Sequence, residues 1–224
     1  MLHRIETLKK ISEAPGRRTI VKGDMDCGYF GSILADDFGY FDTSRGARLD
    51  IYNIALRSGI SPSEIYPGNI DYWHIFAWQG EIVYISQKPV AGKISWKMLS
   101  AGAVFGNRDL RLGGHRYRVT LLKGWKSDFT STLTLDPESE YVRLYLGLHE
   151  SAGEKGWGTN YTSQQMGLNG TRGSKIWLQE LVEPEKEGGY RAYASGPNGD
   201  VAGKEKIETA TEIMGWLPAL RLLY

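Results

Sequence analysis

The side chains able to do chemistry are scattered through this chain. Among the histidines His3, His74, His115 and His149, no two stand at metal-ligand spacing. His74 lies inside the apolar run Tyr72–Trp78, the setting of a core histidine rather than a ligand. The lone cysteine, Cys27, sits beside Gly28 with no base to activate it and reads as a small buried thiol. Asp24 and Asp26, or Asp36 and Asp37, have the oxygen chemistry of a hard-cation site such as calcium, and equally that of solvated turn carboxylates. Glu138 and Glu140 follow Asp136-Pro137 at a helix start, where dipole complementation accounts for them without an acid/base pair. Gly170-Thr171-Arg172-Gly173-Ser174-Lys175 has the composition of a phosphate-cradling loop but lacks its spacing and its preceding apolar strand. No catalytic, cofactor or metal residue is assigned. The remaining candidates are Trp157 and Tyr161, in a glycine-rich segment. Exposed there, they form a possible ligand surface that stacks on sugar rings or anchors an interface. Folded back, they are core.

The elements that position these residues centre on 72–125, which holds four of the seven tryptophans. Tyr72–Trp78 and Glu81–Ser86 are short runs rich in aromatic and β-branched residues that join across Gln79-Gly80, a tight-hairpin signal. Leu110–Leu112 and His115–Leu122 flank Gly113-Gly114 in the same way. In the later strand Tyr117, Val119 and Leu121 share one face and Arg116, Arg118 and Thr120 the other, the pattern of a strand with a wet side. Ser95 is the expected N-cap of a short helix from Trp96, stopped by Gly102.

Upstream, Leu2, Ile5, Leu8 and Ile11 recur at helical spacing before Pro15-Gly16. They predict an N-terminal arm over residues 1–22 that either docks on a neighbour or frays. Tyr29–Leu34 reads as a strand. Residues 48–58 read as a helix on Leu49, Tyr52 and Leu56, with Gly59 as C-cap. Downstream, Asp136-Pro137-Glu138 starts a helix with Tyr141, Leu144, Tyr145 and Leu148 on one face. Ser151–Gly173 and Ser195–Glu208 read as polar loops, Lys175–Val182 and Tyr190–Ala194 as strands. The final apolar run, 216–224, is interrupted by Pro218. The fold class that follows is α+β, one domain over 23–224 rich in short antiparallel strands, with two or three helices.

Totals narrow the function. With 27 basic and 26 acidic residues, no excess of positive charge displaces phosphate counterions, which argues against nucleic-acid binding. A single cysteine forbids an internal disulfide and suits assembly in a reducing cytosol. No apolar run reaches 18 residues, so no membrane span is expected, and the charged start lacks a secretory h-region. The sequons at Asn160 and Asn169 are then chance matches.

An ordered series of pieces carries a resemblance. They are Gly28-Tyr29-Phe30-Gly31, then Trp73, Phe76 and Gly80 in a W-x-x-F-x-x-x-G pattern, then Ile85-Ser86-Gln87-Lys88-Pro89. Ile94-Ser95-Trp96, Ala101–Gly106 and Gly114-x-x-Tyr117-Arg118-Val119-x-Leu121-Leu122-Lys123-Gly124 follow. Ser139-Glu140-Tyr141-x-Arg143-Leu144 and Gly215–Leu222 complete the series. In this order, over residues 28–224, the chain resembles virion structural proteins of tailed bacteriophages. It also looks like a C-type-lectin-like domain of the kind shared with formylglycine-generating-enzyme relatives. The lectin calcium-and-sugar tripeptides are missing, Glu183-Pro184-Glu185 having the wrong third residue, and the paired cysteines or copper site of the generating enzyme are absent. The resemblance therefore implies a domain that has lost both chemistries.

What it implies is a non-enzymatic particle component without cofactor, assembled in the host cytoplasm and resident in the virion. The expected location is the tail or an attached fibre or appendage. Its partners would be other phage structural proteins and further copies of itself, with the arm as anchor and the loops as display. A capsid decoration protein, an adhesin for a host surface glycan or receptor, and more remotely a cell-wall hydrolase are the alternatives.

Overall fold

The computed structural model of the chain describes residues 15–16, 19–35, 38, 40–42, 47–48, 55–56, 59–61, 71–101, 109–112, 114–124, 135–169, 174–183, 190–195, 201–206, 208–211 and 214–223. Most of what is described is antiparallel β-sheet, with few and short helices.

The strands are β1 (Lys22–Gly23), β2 (Cys27–Leu34), β3 (Tyr40–Asp42), β4 (Ala47–Arg48), β5 (Tyr72–Trp78), β6 (Glu81–Ser86) and β7 (Ala91–Gly92). They continue with β8 (Asp109–Leu112), β9 (His115–Thr120), β10 (Lys175–Glu183), β11 (Tyr190–Ser195), β12 (Val201–Lys206), β13 (Met214–Trp216) and β14 (Ala219–Leu223). A seven-stranded antiparallel sheet runs β1-β2-β5-β6-β14-β9-β8. A five-stranded sheet runs β12-β11-β10-β13-β7, antiparallel except for the β10–β13 pair. β3 and β4 form a separate ribbon.

Both predicted hairpins form. β5 and β6 pair from Trp73↔Ser86 to Trp78↔Glu81, turning through Gln79 at φ 49° and Gly80 at φ 81°. Positive φ at both central residues makes this a type I′ turn, whose twist matches the flanking strands. β8 and β9 close at Leu112↔His115, with Gly114 at φ 83°. Pro218 breaks the last apolar run as expected. β13 ends at Trp216 in the five-stranded sheet, and β14 starts at Ala219 in the seven-stranded one, between β6 and β9. A ring nitrogen without a hydrogen cannot continue a ladder, so the chain changes sheet there.

Side-chain alternation sorts the centre of the large sheet between two cores. Trp73, Ile75, Ala77, Ile82, Tyr84, Leu220 and Leu222 enter one, joined by Leu110, Leu112, Tyr117 and Val119 from the flank and by Phe38, Trp177 and Trp216. Phe76, Trp78, Val83, Ile85 and Ala219 enter the other, under Tyr141, Leu144, Tyr145, Leu148 and Trp157. Each fully buried Leu, Ile or Phe contributes about 1.5–3 kcal/mol of transfer free energy, so the two cores dominate the fold's stability. On the flank β9 is buried only at alternate positions, Arg116 and Arg118 facing solvent, as its sequence predicts.

Ser95 caps α1 (Trp96–Ala101), its hydroxyl accepting from the Met98 amide at 3.1 Å; Gly102 lies outside the described residues. The helix expected after Asp136 differs. Asp136–Ser139 is a turn, its Asp136 carboxylate accepting from the Glu138 amide. Tyr141–Tyr145 then forms a π-helical turn and Leu146–Leu148 a 3-10 turn. Its apolar face is the predicted one, all four residues being buried. Of the helix predicted over 48–58, only Ala55 and Leu56 are both described and helical. The second polar loop, Ser195–Glu208, contains β12, paired along its whole length with β11. A Val-Ala-Gly-Lys-Glu-Lys strand carries little β-propensity, and the ladder to β11 supplies what the side chains do not.

Leu2, Ile5, Leu8 and Ile11 lie outside the described residues. The described part of the predicted arm touches the domain itself at Pro15, Gly16 and Val21. The Tyr84 hydroxyl donates to the Pro15 carbonyl at 2.9 Å, and Gly16, at φ 96°, passes so close to Ile75 that a Cβ there would come within 2.4 Å of its Cδ1. Val21 donates to the Tyr29 carbonyl, and the boundary drawn at residue 22 falls inside β1.

Candidate functional site

The large sheet's second core stops at β14, because the segment 135–168 covers β5, β6 and the start of β14 but not β9. Where that cover ends, the sheet face turns polar and a cleft of about 480 Å³ opens. Its organising residue is Arg221, central in β14 and only 8% exposed. Alternation that sends Leu220 and Leu222 into one core sends Arg221 to the other face. There Nη2 donates to Glu140 at 2.6 Å, Nη1 to Glu81 at 2.6 Å and Nε to the Thr120 hydroxyl at 3.1 Å. Burial would lower the Arg221 pKa, but Glu140 and then Glu81 outweigh it, and the net effect is upward. The guanidinium therefore stays charged, with each of its three nitrogens hydrogen-bonded.

Glu140 is buried and serves two masters: its other oxygen accepts from the Lys123 amide at 3.1 Å. The Tyr141 amide donates to the Lys123 carbonyl at 2.8 Å, so the segment after β9 is clipped to the π-helical turn on both sides of Glu140. From β10 the Glu180 carboxylate accepts from the Gly124 amide at 2.8 Å, and the Gln179 amide donates to the Leu122 carbonyl. The dipole-complement role expected for Glu140 gives way to that of a buried counter-charge. Glu138 remains at the turn, exposed, 3.8 Å from Arg143.

Around this node the cleft carries groups that are not consumed. Arg118, the direct cross-strand neighbour of Arg221, points the same way and is exposed. Lys123 and Gln79, both exposed, also line the cleft, which Trp78 and the already engaged Gln179 complete. Sequence reasoning missed this site. The one available signal was an arginine inside Ala-Leu-Arg-Leu-Leu, a charge in an otherwise apolar strand.

Trp157 is not the exposed aromatic considered from the sequence. It is 8% exposed, and its indole N–H reaches the Arg143 and Leu144 carbonyls at 3.0 and 3.1 Å. Its ring packs 5.9 Å from Tyr29 and 5.8 Å from Phe76. Gly147 leaves the room: a Cβ there would sit 2.6 Å from the indole nitrogen. Tyr161 is half-buried, edge-on to His74 at 5.4 Å. The two residues share a core rather than a surface.

His74 is the core histidine expected. Its Nδ1 lies 2.9 Å from the Tyr29 hydroxyl, and burial lowers its pKa from 6.5 to about 3. His149 offers the nearest approach to a nucleophile and base, between Ser151 and Ser163. Its Nδ1 accepts the Ser151 backbone N–H at 3.0 Å, so Nε2 carries the proton toward the Ser163 hydroxyl at 3.1 Å. That tautomer cannot take a proton from Ser163. Asp24 is a turn carboxylate, accepting from the Asp26 and Cys27 amides at 2.8 and 3.0 Å. Asp36 and Asp37 lie outside the described residues, and among the described residues no three acidic, histidine or cysteine side chains gather as a metal site. Cys27 is half-buried, with Arg143 3.9 Å from its sulfur. No described helix is long and apolar enough to cross a membrane.

No protein family, no curated protein and no solved structure matches this chain.

Proposed function

We propose that the chain is a non-enzymatic structural component of a tailed-bacteriophage particle, placed in the tail or an attached fibre or appendage, and that its domain is a C-type-lectin-like variant. The ordered series of motifs from Gly28 to Leu222 carries this reading. The residues in those motifs are also the ones the frame depends on. Trp73, Phe76 and Gly80 make the central hairpin, Ser95 caps α1, and Glu140 meets Arg221 across the sheet. A β-sheet frame of this kind suits a role in assembly or display. Its partners would be other particle proteins and further copies of itself.

The arm is proposed to be residues 1–14, since Pro15, Gly16 and Val21 already contact the domain. Deleting 1–14 should leave a soluble folded chain that fails to enter particles, whereas deleting 1–22 should also destabilise the domain. Normal incorporation of the shorter deletion would remove the arm from the proposal. The reading as a whole is tested with antibodies to the purified chain on intact particles under the electron microscope. Labelling of the tail supports it, labelling of the capsid lattice replaces it with a decoration protein, and label confined to soluble host lysate refutes it.

A further inference from the structure

We propose that the cleft beside Arg221 binds an acidic saccharide, a sugar ring bearing a carboxylate. The charge arrangement is the starting point. Arg221 and Arg118 stand directly opposite across β14 and β9, a repulsive pair unless each has an anion. Arg221 has two, Glu81 and Glu140, and its Nε–H goes to Thr120. Arg118 has no acidic partner within ion-pair distance among the described residues, although Asp109 faces it in the register, because Asp109 pairs with Arg116 instead. Lys123, exposed on the same wall, adds a second uncommitted cation. A planar guanidinium and an ammonium converging on one space recognise a carboxylate.

The other groups ask for hydroxyls. Glu81 gives Arg221 only one oxygen, and its half-exposed side chain leaves the second as an acceptor. A bare anion would be repelled there, while a ring hydroxyl donates to it. Gln79, exposed, supplies both a donor and an acceptor, and Trp78 lines the cleft as its aromatic. A volume of about 480 Å³ lies within the usual range for small-ligand sites. Donors for a carboxylate, a hydroxyl acceptor, an amide and an aromatic within one cleft together match a uronic-acid type of sugar. A phosphate backbone would meet the second Glu81 oxygen instead.

The test titrates the full-length ¹⁵N-labelled chain with glucuronate, glucose, acetate and inorganic phosphate in separate experiments. Glucuronate should shift the amides of Gln79, Thr120 and Lys123 and bind at least about tenfold more tightly than glucose or acetate, a difference of about 1.4 kcal/mol. Arg118→Gln and Lys123→Gln should each weaken glucuronate severalfold with the thermal midpoint unchanged, since both side chains are exposed. Acetate or phosphate binding as well as glucuronate would overturn the saccharide assignment. No glucuronate shift at millimolar concentrations would overturn the site. The inference does not depend on the chain residing in a particle, and either result leaves the particle-labelling experiment to be decided separately.

Discussion

The large sheet contains two regions built on different terms. At its centre β5, β6 and β14 are buried on both faces, and their sequences, Tyr-Trp-His-Ile-Phe-Ala-Trp and Glu-Ile-Val-Tyr-Ile-Ser among them, are nearly continuous in apolar residues. On its flank β8 and β9 bury alternate residues only. Both regions handle charge in ion pairs, but at the centre the pair is Arg221 with Glu140, some 10% and 5% exposed, and on the flank it is Arg116 with Asp109, 50% and 29% exposed. The same two kinds of side chain should therefore matter very differently, because the cost of an unpaired charge depends on how much water can replace the lost partner.

The largest expected effects separate centre from flank directly. Phe76→Ala empties a site with no solvent exposure between Tyr29, His74 and Trp157, and should destabilise the domain by about 3–5 kcal/mol in urea unfolding. Arg118→Ala, on the wet face of β9, should stay within about 0.5 kcal/mol. Comparable losses at the two sites would mean that the flank is as tightly packed as the centre.

Glu140→Ala comes next and should cost about 3–5 kcal/mol, since Arg221 keeps its charge without its buried partner and the Lys123 amide loses its acceptor. Glu81→Ala removes a half-exposed partner of the same guanidinium and should cost no more than about 1 kcal/mol. Equal effects would place Glu81, not Glu140, as the anchoring counter-charge.

How legible these regions were depends on the range of the signal. The hairpins, the Ser95 cap, the half-wet β9 and the break at Pro218 are encoded within a few residues, and sequence pattern is enough to find them. That the central strands are dry on both faces was harder to read, because such strands lose the alternation that marks a face. Phe38, which lies in none of the elements expected from the sequence, stacks on Trp73 at 5.4 Å, a contact no local pattern could show. Glu140 and Arg221 are 81 residues apart, and the cleft they organise exists only after β14 returns between β6 and β9. Trp157 misled for the converse reason. Its glycine-rich surroundings look like an exposed loop, yet the ring is buried, and Gly147, outside that segment, leaves the room for it.

His74 gives the centre a pH signature that the flank lacks. Its pKa is depressed to about 3 in the folded chain and returns to 6.5 on unfolding, so the unfolded state binds the extra proton between those values. Stability from this group is complete above about pH 6.5 and is lost as pH falls toward about 3. Between about pH 7 and pH 5 the loss should be about 2 kcal/mol. Carboxylates titrate in the same range, so the measurement is the difference in slope between the natural chain and His74→Gln in urea unfolding at several pH values. Parallel slopes would show that His74 protonates without unfolding the core.

The smallest effect is the most direct comparison of the two ion pairs. Arg116 and Asp109 meet diagonally across the β8–β9 hairpin, with water around both. A double-mutant cycle on Arg116→Ala and Asp109→Ala should give a coupling below about 1 kcal/mol, fading at 1 M salt where the screening length falls to about 3 Å. The same cycle on Arg221→Met and Glu140→Leu should give a larger coupling that survives salt, because few ions reach the pair. The double apolar variant should recover much of what either single change loses, since it leaves no buried charge unpaired. If both couplings proved small and salt-sensitive, water would have to reach Arg221, and the contrast between a dry centre and a wet flank would fail at the strand where the two regions meet.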